Sequence, residues 1–155
     1  MCIRDRSQFG LGPALEWLGE EMERTYGLCV SVHLGEIASL DETTSSALYR
    51  IVRELLINIW KHADVSEADV TLSTDAASGR MEVRIADAGV GFDVEQAMKP
   101  SAKHSYGLFS IKQRIDFIGG ALRIDSQAGQ GTTVSVALAA APGPGVKSKL
   151  EDDAK

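Results

Sequence analysis

Glu54, Asn58, Lys61 and His62 carry the first chemical signal in this chain. They recur three and four residues apart, the spacing that stacks side chains along one face of a helix. A carboxylate and a carboxamide one turn apart suit a base and an oxygen ligand for a hard metal, and a basic residue one turn further on suits a phosphate. The same residues also suit an ordinary solvated helix face, and their spacing alone does not separate the readings. Beside them Leu48, Ile51, Val52, Leu55, Leu56 and Ile59 repeat at the same interval. That pattern predicts one amphipathic helix from Leu48 to Ala63, with core on one side and candidate chemistry on the other.

Glycine-containing turns supply further candidates. Asp87-x-Gly89-x-Gly91 follows a strand-like run, so the chain turns where a carboxylate emerges, and that carboxylate could hold an exocyclic amine. A plain strand-ending turn has the same composition. No third glycine opens a helix after it, which disfavours a dinucleotide fold. Gly107-Leu108 opens a helix after a polar stretch, where free backbone N–H groups suit a phosphate or merely start the helix. Gly129-Gln130-Gly131-Thr132-Thr133 reads as a tight hairpin, with a Thr hydroxyl available near a base-binding floor. His33 reads as a strand surface residue, and His104 as a loop residue able to approach phosphate.

The elements that must position these residues follow from periodicity and punctuation. Pro13, Leu15, Leu18 and Met22 predict a first helix ending near Gly27, and Leu28 to Leu34 a strand. Thr43, Thr44 or Ser45 is expected to cap the organising helix. Ala68 to Thr74 and Met81 to Ala86 predict a hairpin. After a long polar loop, Leu108 to Ile118 predicts a third helix closed by Gly119-Gly120. Ala121 to Ser126 and Thr132 to Leu138 predict two last strands. Residues 1–12 read as a tail or cut end, 13–139 as one domain and 140–155 as a disordered tail.

Composition narrows the function classes. With 22 Asp and Glu against 16 Lys and Arg and a formal net charge of −6, no basic surface for nucleic acid is expected. Cys2 and Cys29 are too few for a disulfide framework or metal knuckle. Cys29 lies in an apolar run that predicts a buried thiol in a reducing, cytoplasmic compartment. No apolar run approaches membrane-spanning length, so no direct membrane contact is expected of this stretch. Function must reside in a site.

Taken in order, these pieces resemble the ATP-binding domain of bacterial sensor histidine kinases, in the superfamily shared with gyrase and Hsp90-type chaperones. Glu54-Leu-Leu-Ile-Asn58-Ile-Trp-Lys61-His62-Ala63 resembles the family's N box. Asp87-Ala-Gly89-Val-Gly91-Phe92 resembles its first glycine box, and Tyr106-Gly107-Leu108 with Ile111-Lys112-Gln113-Arg114 its second. Gly129-Gln-Gly131-Thr132-Thr133 resembles its closing glycine-threonine turn. The Lys-His-Ala ending is most similar to the nitrate-sensor and DesK-like branch. The resemblance covers roughly Leu48 to Leu138, with Ile57 and Trp60 bulkier than the branch pattern.

The resemblance implies a two-layer α/β sandwich of the GHKL (Bergerat) type, a mixed sheet packed against three helices, binding ATP with magnesium. By matching position, Asn58 would ligate the magnesium and Glu54 would act as base or orient the reacting group. Lys61 and His62 would face the phosphates, and Asp87 would hold the adenine amine. Gly89, Gly91 and Gly107 would give backbone room, with Leu108 at a hinge and Thr132 near the base. The implied acceptor is a histidine on a separate dimerisation domain of the same kinase, with relay to a response regulator bearing a helix-turn-helix output. No His-Asp or His-Glu pair lies on an amphipathic helix before Pro13. The chain is therefore expected to bind ATP without autophosphorylating, and the full protein could be anchored in the inner membrane. A standalone serine kinase of the anti-sigma type and a degenerate docking module are the competing expectations.

Overall fold

The computed structural model describes residues 11–35, 40–75, 77–91, 93 and 108–139. Helix α1 spans Leu11–Tyr26, strand β1 Cys29–Leu34 and helix α2 Glu42–Asn58, which runs directly into a π turn at Ile59–Ala63. Strands β2 (Glu67–Thr74) and β3 (Arg80–Asp87) form a hairpin. Helix α3 (Leu108–Phe117), β4 (Ala121–Ser126) and β5 (Thr132–Ala139) complete the described elements. The sheet order is β1-β2-β3-β5-β4, with β1 parallel to β2 and every other pairing antiparallel. The expected mixed sheet under three helices is present.

The sheet is apolar on one face only. Val70 and Leu72, Met81, Val83 and Ile85, and Val134, Val136 and Leu138 alternate inward with period two and meet the helices. From α1 come Leu15, Leu18 and Met22, and from α2 Leu48, Ile51, Val52, Leu55 and Leu56. Leu108, Ile111 and Ile115 of α3 complete one continuous core. Every apolar residue read as the buried stripe of the organising helix is buried. At about 25 cal/mol per Å² of apolar surface removed from water, this layer contact dominates the stability of the fold.

Some expectations are corrected. The organising helix starts earlier than its first apolar residue, because Asp41 caps it by accepting from the Thr44 backbone N–H at 2.8 Å. None of Thr43, Thr44 and Ser45 is the cap. The Asp41 carboxyl is held below its usual range by hydrogen bonds from Thr44. Helix α1 begins at Leu11, two residues before Pro13, with Leu11 and Gly12 buried. Cys29 is exposed, not buried. The alternation of β1 turns Val30 and Val32 towards the helices, which leaves Cys29, Ser31 and His33 on the outer side. There His33 pairs with Asp69 of β2 at 3.5 Å, the surface position expected of it.

Candidate functional site

The N-box helix does not stay α-helical to its end. After Asn58 the backbone widens into a π turn over Ile59–Ala63, and Asp64 closes it in the left-handed conformation at φ 57°. Single π turns inside helices concentrate at functional sites because they re-aim side chains relative to the 3.6-residue period. Here the turn swings Trp60 outward, where its ring lies 4.6 Å from that of Tyr26 at the end of α1. Trp60 therefore does not crowd the pocket despite its bulk, and Ile57 does not line it either.

Three chain segments are stitched together at one end of the sheet. The carbonyl of Ala63 accepts from the Val90 N–H at 3.0 Å, and the Val90 carbonyl accepts from the Gly129 N–H at 2.6 Å. The glycines make this approach possible. A Cβ on Gly89 would stand 2.3 Å from the Ala63 carbonyl oxygen. Gly91 adopts φ +70°, and a Cβ there would stand 2.0 Å from the Gln127 carbonyl oxygen. Only a residue without a side chain fits either position. These glycines first admit neighbouring backbone, and Gly91 alone of the two also borders the pocket.

Above this junction lies an open pocket with a largely apolar lining and a few polar groups, the make-up of a small-molecule site. Asn58, Ile59, His62 and Ala63 border it from the π turn, Asp87 and Gly91 from the turn after β3, Leu108 from the start of α3 and Thr132 from β5. Leu55, Ile85 and Val134 supply apolar wall. Asp87 and Thr132 are opposite one another in the β3–β5 register. Asp87 is half-buried; desolvation raises its carboxyl above the usual range, and a hydrogen bond from the Gly89 N–H at 2.8 Å works the other way. That bond fixes one carboxylate oxygen against the backbone. Thr132 is buried, and its hydroxyl lies 2.8 Å from that of Ser126, which also donates to the Gly131 carbonyl.

The residues singled out from sequence thus divide. Asn58, His62, Asp87, Gly91, Leu108 and Thr132 converge on one pocket. Gly89 is buried beneath it. Glu54 lies one turn before Asn58 outside the pocket lining, bonded to Arg114 of α3. Lys61 is exposed and outside the lining as well. Gly107, His104 and the rest of the polar stretch at 94–107 lie outside the described residues. The walls went unnoticed in the sequence reading. Ile85 and Val134 each stand two residues along a strand from Asp87 and Thr132, so strand alternation identifies them once those two are placed.

Among the described residues, no group of three or more His, Cys, Asp and Glu gathers as a metal cage. Asn58 borders the pocket and carries an amide oxygen, the type of group that would serve magnesium as a single protein ligand beside phosphate and water. Also among the described residues, no helix is long and apolar enough to cross a membrane.

Comparison with known proteins agrees with this geometry. The family model described as "Histidine kinase-, DNA gyrase B-, and HSP90-like ATPase" matches residues 43–142. The chain is 30% identical over 128 residues to the oxygen sensor histidine kinase NreB of Staphylococcus carnosus, covering 82% of this chain and 35% of that protein. It is 33% identical over 90 residues to the signal transduction histidine-protein kinase/phosphatase DegS of Bacillus subtilis, covering 58% of this chain and 23% of that one. The chain therefore spans about a third or less of these relatives. In fold it is similar to the histidine kinase domain of the Erythrobacter litoralis EL346 blue-light activated histidine kinase, with TM-score 0.67 at 22% identity over 84% of this chain and 61% of that one. It is equally similar to full-length ShkA in complex with AMPPNP, with TM-score 0.68 at 20% identity over 86% of this chain and 31% of that one. With more than half its length matched and its pocket built from the segments that carry the motifs, the chain belongs to the histidine kinase-, DNA gyrase B- and HSP90-like ATPase family.

Proposed function

We propose that this chain is the ATP-binding catalytic domain of a two-component sensor histidine kinase, presenting the ATP γ-phosphoryl group to a histidine on a separate phospho-acceptor and dimerisation domain. The observation that carries the reading is the convergence of Asn58, His62, Asp87, Gly91, Leu108 and Thr132, from segments far apart in sequence, on one apolar-walled pocket. The names of the relatives NreB and DegS support the histidine as acceptor.

The roles follow from chemistry and position. Leu55, Ile59, Ile85, Leu108 and Val134 would enclose an adenine ring, and the second carboxylate oxygen of Asp87 would accept from its exocyclic amine. A half-buried carboxylate acceptor of this kind discriminates against a base that presents a carbonyl instead. Asn58 and His62 border the pocket where phosphates would emerge, with Lys61 on the same turn adding positive charge. Magnesium held by Asn58 and the phosphates would supply charge neutralisation when bound. The acceptor imidazole nitrogen then attacks the γ-phosphorus as the bond to the ADP oxygen breaks, and its electron pair leaves with ADP. Glu54 accepts a hydrogen bond from the N–H of the other ring nitrogen, which orients the imidazole, and takes up that proton as the N–P bond forms. The phosphohistidine passes its phosphoryl group to a response regulator, with a helix-turn-helix output domain as the partner type.

The test is calorimetric titration of this chain with a non-hydrolysable ATP analogue, with and without magnesium, beside the corresponding GTP analogue. Magnesium-strengthened binding of the adenine nucleotide at least tenfold tighter than the guanine one supports the reading (about 1.4 kcal/mol). Equal binding of the two, or none by folded protein, overturns it.

A further inference from the structure

Glu54 and Arg114 are bonded side chain to side chain across 60 residues of sequence, Nη1 donating to Oε2. Their surroundings make this pair specific. Glu54 lies on α2 one turn before Asn58, which borders the pocket; Arg114 lies on α3, whose first residue, Leu108, borders the pocket from the other helix. The nearest charges on α3 are already engaged, since Lys112 pairs with Asp116 at 2.9 Å. Helix α3 is seated by buried Ile111 and Ile115, so the backbone bearing Arg114 is fixed. Glu54, by contrast, stands on a part-exposed helix face where a carboxylate with three side-chain torsions has several open rotamers.

We propose that Arg114 is a positioning residue for phosphoryl transfer. It holds the Glu54 carboxylate in one rotamer at the flank of the pocket, where it meets the acceptor imidazole. A guanidinium suits this task because its planar fork fixes the orientation of a carboxylate, whereas an ammonium supplies charge without direction. The inference rests on the reading of Glu54 as the group that orients the acceptor. Because a solvent-exposed pair adds little to stability, loss of Arg114 leaves a folded domain and an intact nucleotide pocket.

The experiment uses the full-length kinase and single-turnover autophosphorylation from γ-labelled ATP, with binding of a non-hydrolysable ATP analogue measured in parallel. Arg114→Met is expected to slow phosphoryl transfer about tenfold or more while analogue affinity stays within about twofold, because mispositioning acts on the reacting geometry and not on binding. Arg114→Lys is expected to recover part of the rate. In the Glu54→Gln background, Arg114→Met is expected to have no further effect, since its action runs through that carboxylate. A wild-type rate in Arg114→Met, or an equal loss in both backgrounds, overturns the role of Arg114 alone. A wild-type rate in Glu54→Gln overturns the underlying reading of Glu54, and the inference with it.

Discussion

Replacing Asp87 by Asn separates what this carboxylate does for the fold from what it does for a ligand. One oxygen accepts from the Gly89 N–H at 2.8 Å, and an amide oxygen in the same place accepts that bond equally well. The turn should therefore survive. The negative charge that the proposed function assigns to an amine donor is lost. A hydrogen bond to a charged group contributes about 1.5–3 kcal/mol, so the affinity for an ATP analogue should fall about 10- to 150-fold. Stability should move the other way. Burial raises the folded carboxyl above its usual range, so the folded protein binds this proton more tightly than the unfolded chain. The contribution of Asp87 to stability is then fully present below the unfolded pKa and is lost as pH rises through the folded one. The variant lacks that dependence, and its stability relative to wild type should rise as pH climbs above the ordinary carboxylate range, the side on which the native group ionises. Calorimetric titration gives the first quantity and thermal melts across pH the second. An affinity within threefold of wild type in a folded variant would refute the assignment of Asp87 to base recognition.

Other substitutions probe the scaffold beneath the pocket. Gly91→Ala places a methyl 2.0 Å from the Gln127 carbonyl oxygen at φ +70°. The left-handed backbone and the displaced hairpin together should cost roughly 2–4 kcal/mol in a thermal melt. Leu108→Ala empties a site that is 1% exposed and should destabilise by about 2–5 kcal/mol while weakening nucleotide binding, which calorimetry beside a denaturant titration resolves. Asp41→Ala removes the cap of α2 and should lower the melting temperature at neutral pH. The native carboxyl titrates below its usual range, so its stabilisation is present above the unfolded pKa and lost as pH falls through the folded one. The gap between variant and wild type should accordingly close in acid.

Much of this architecture was legible in the sequence, for reasons that differ by element. The α2 stripe from Leu48 to Ile59 satisfied helix periodicity throughout, and each residue is buried. The β2 and β3 hairpin followed from strict alternation; β2 starts one residue before expectation and ends where expected, and β3 extends one residue further at each end. Capping failed because several acceptable residues stood together, and only the backbone direction entering α2 selects Asp41. Cys29 failed because its neighbours were apolar, whereas the two-residue period of an edge strand decides which of them face the core. The π turn at Ile59–Ala63 had no signature in the residues at all. Its last residue, Ala63, is the one whose carbonyl accepts from the Val90 N–H, a tertiary contact that local periodicity does not report.

The glycines show why motif spacing reached the site without explaining it. Gly89 and Gly91 were read as positions free to adopt positive φ or to let a ligand approach the backbone; Gly91 does adopt φ +70°, and the nearest atoms to the two missing side chains belong to Ala63 and Gln127. A spacing pattern cannot tell a glycine that admits a nucleotide from one that admits backbone, because the steric requirement is the same. In this fold the requirements coincide. Drawing the π turn, the turn after β3 and the β4–β5 hairpin into contact is what brings Asn58, Asp87 and Thr132 to one opening. A variant at either glycine should therefore lose stability and nucleotide binding together, whereas Asp87→Asn should lose binding alone.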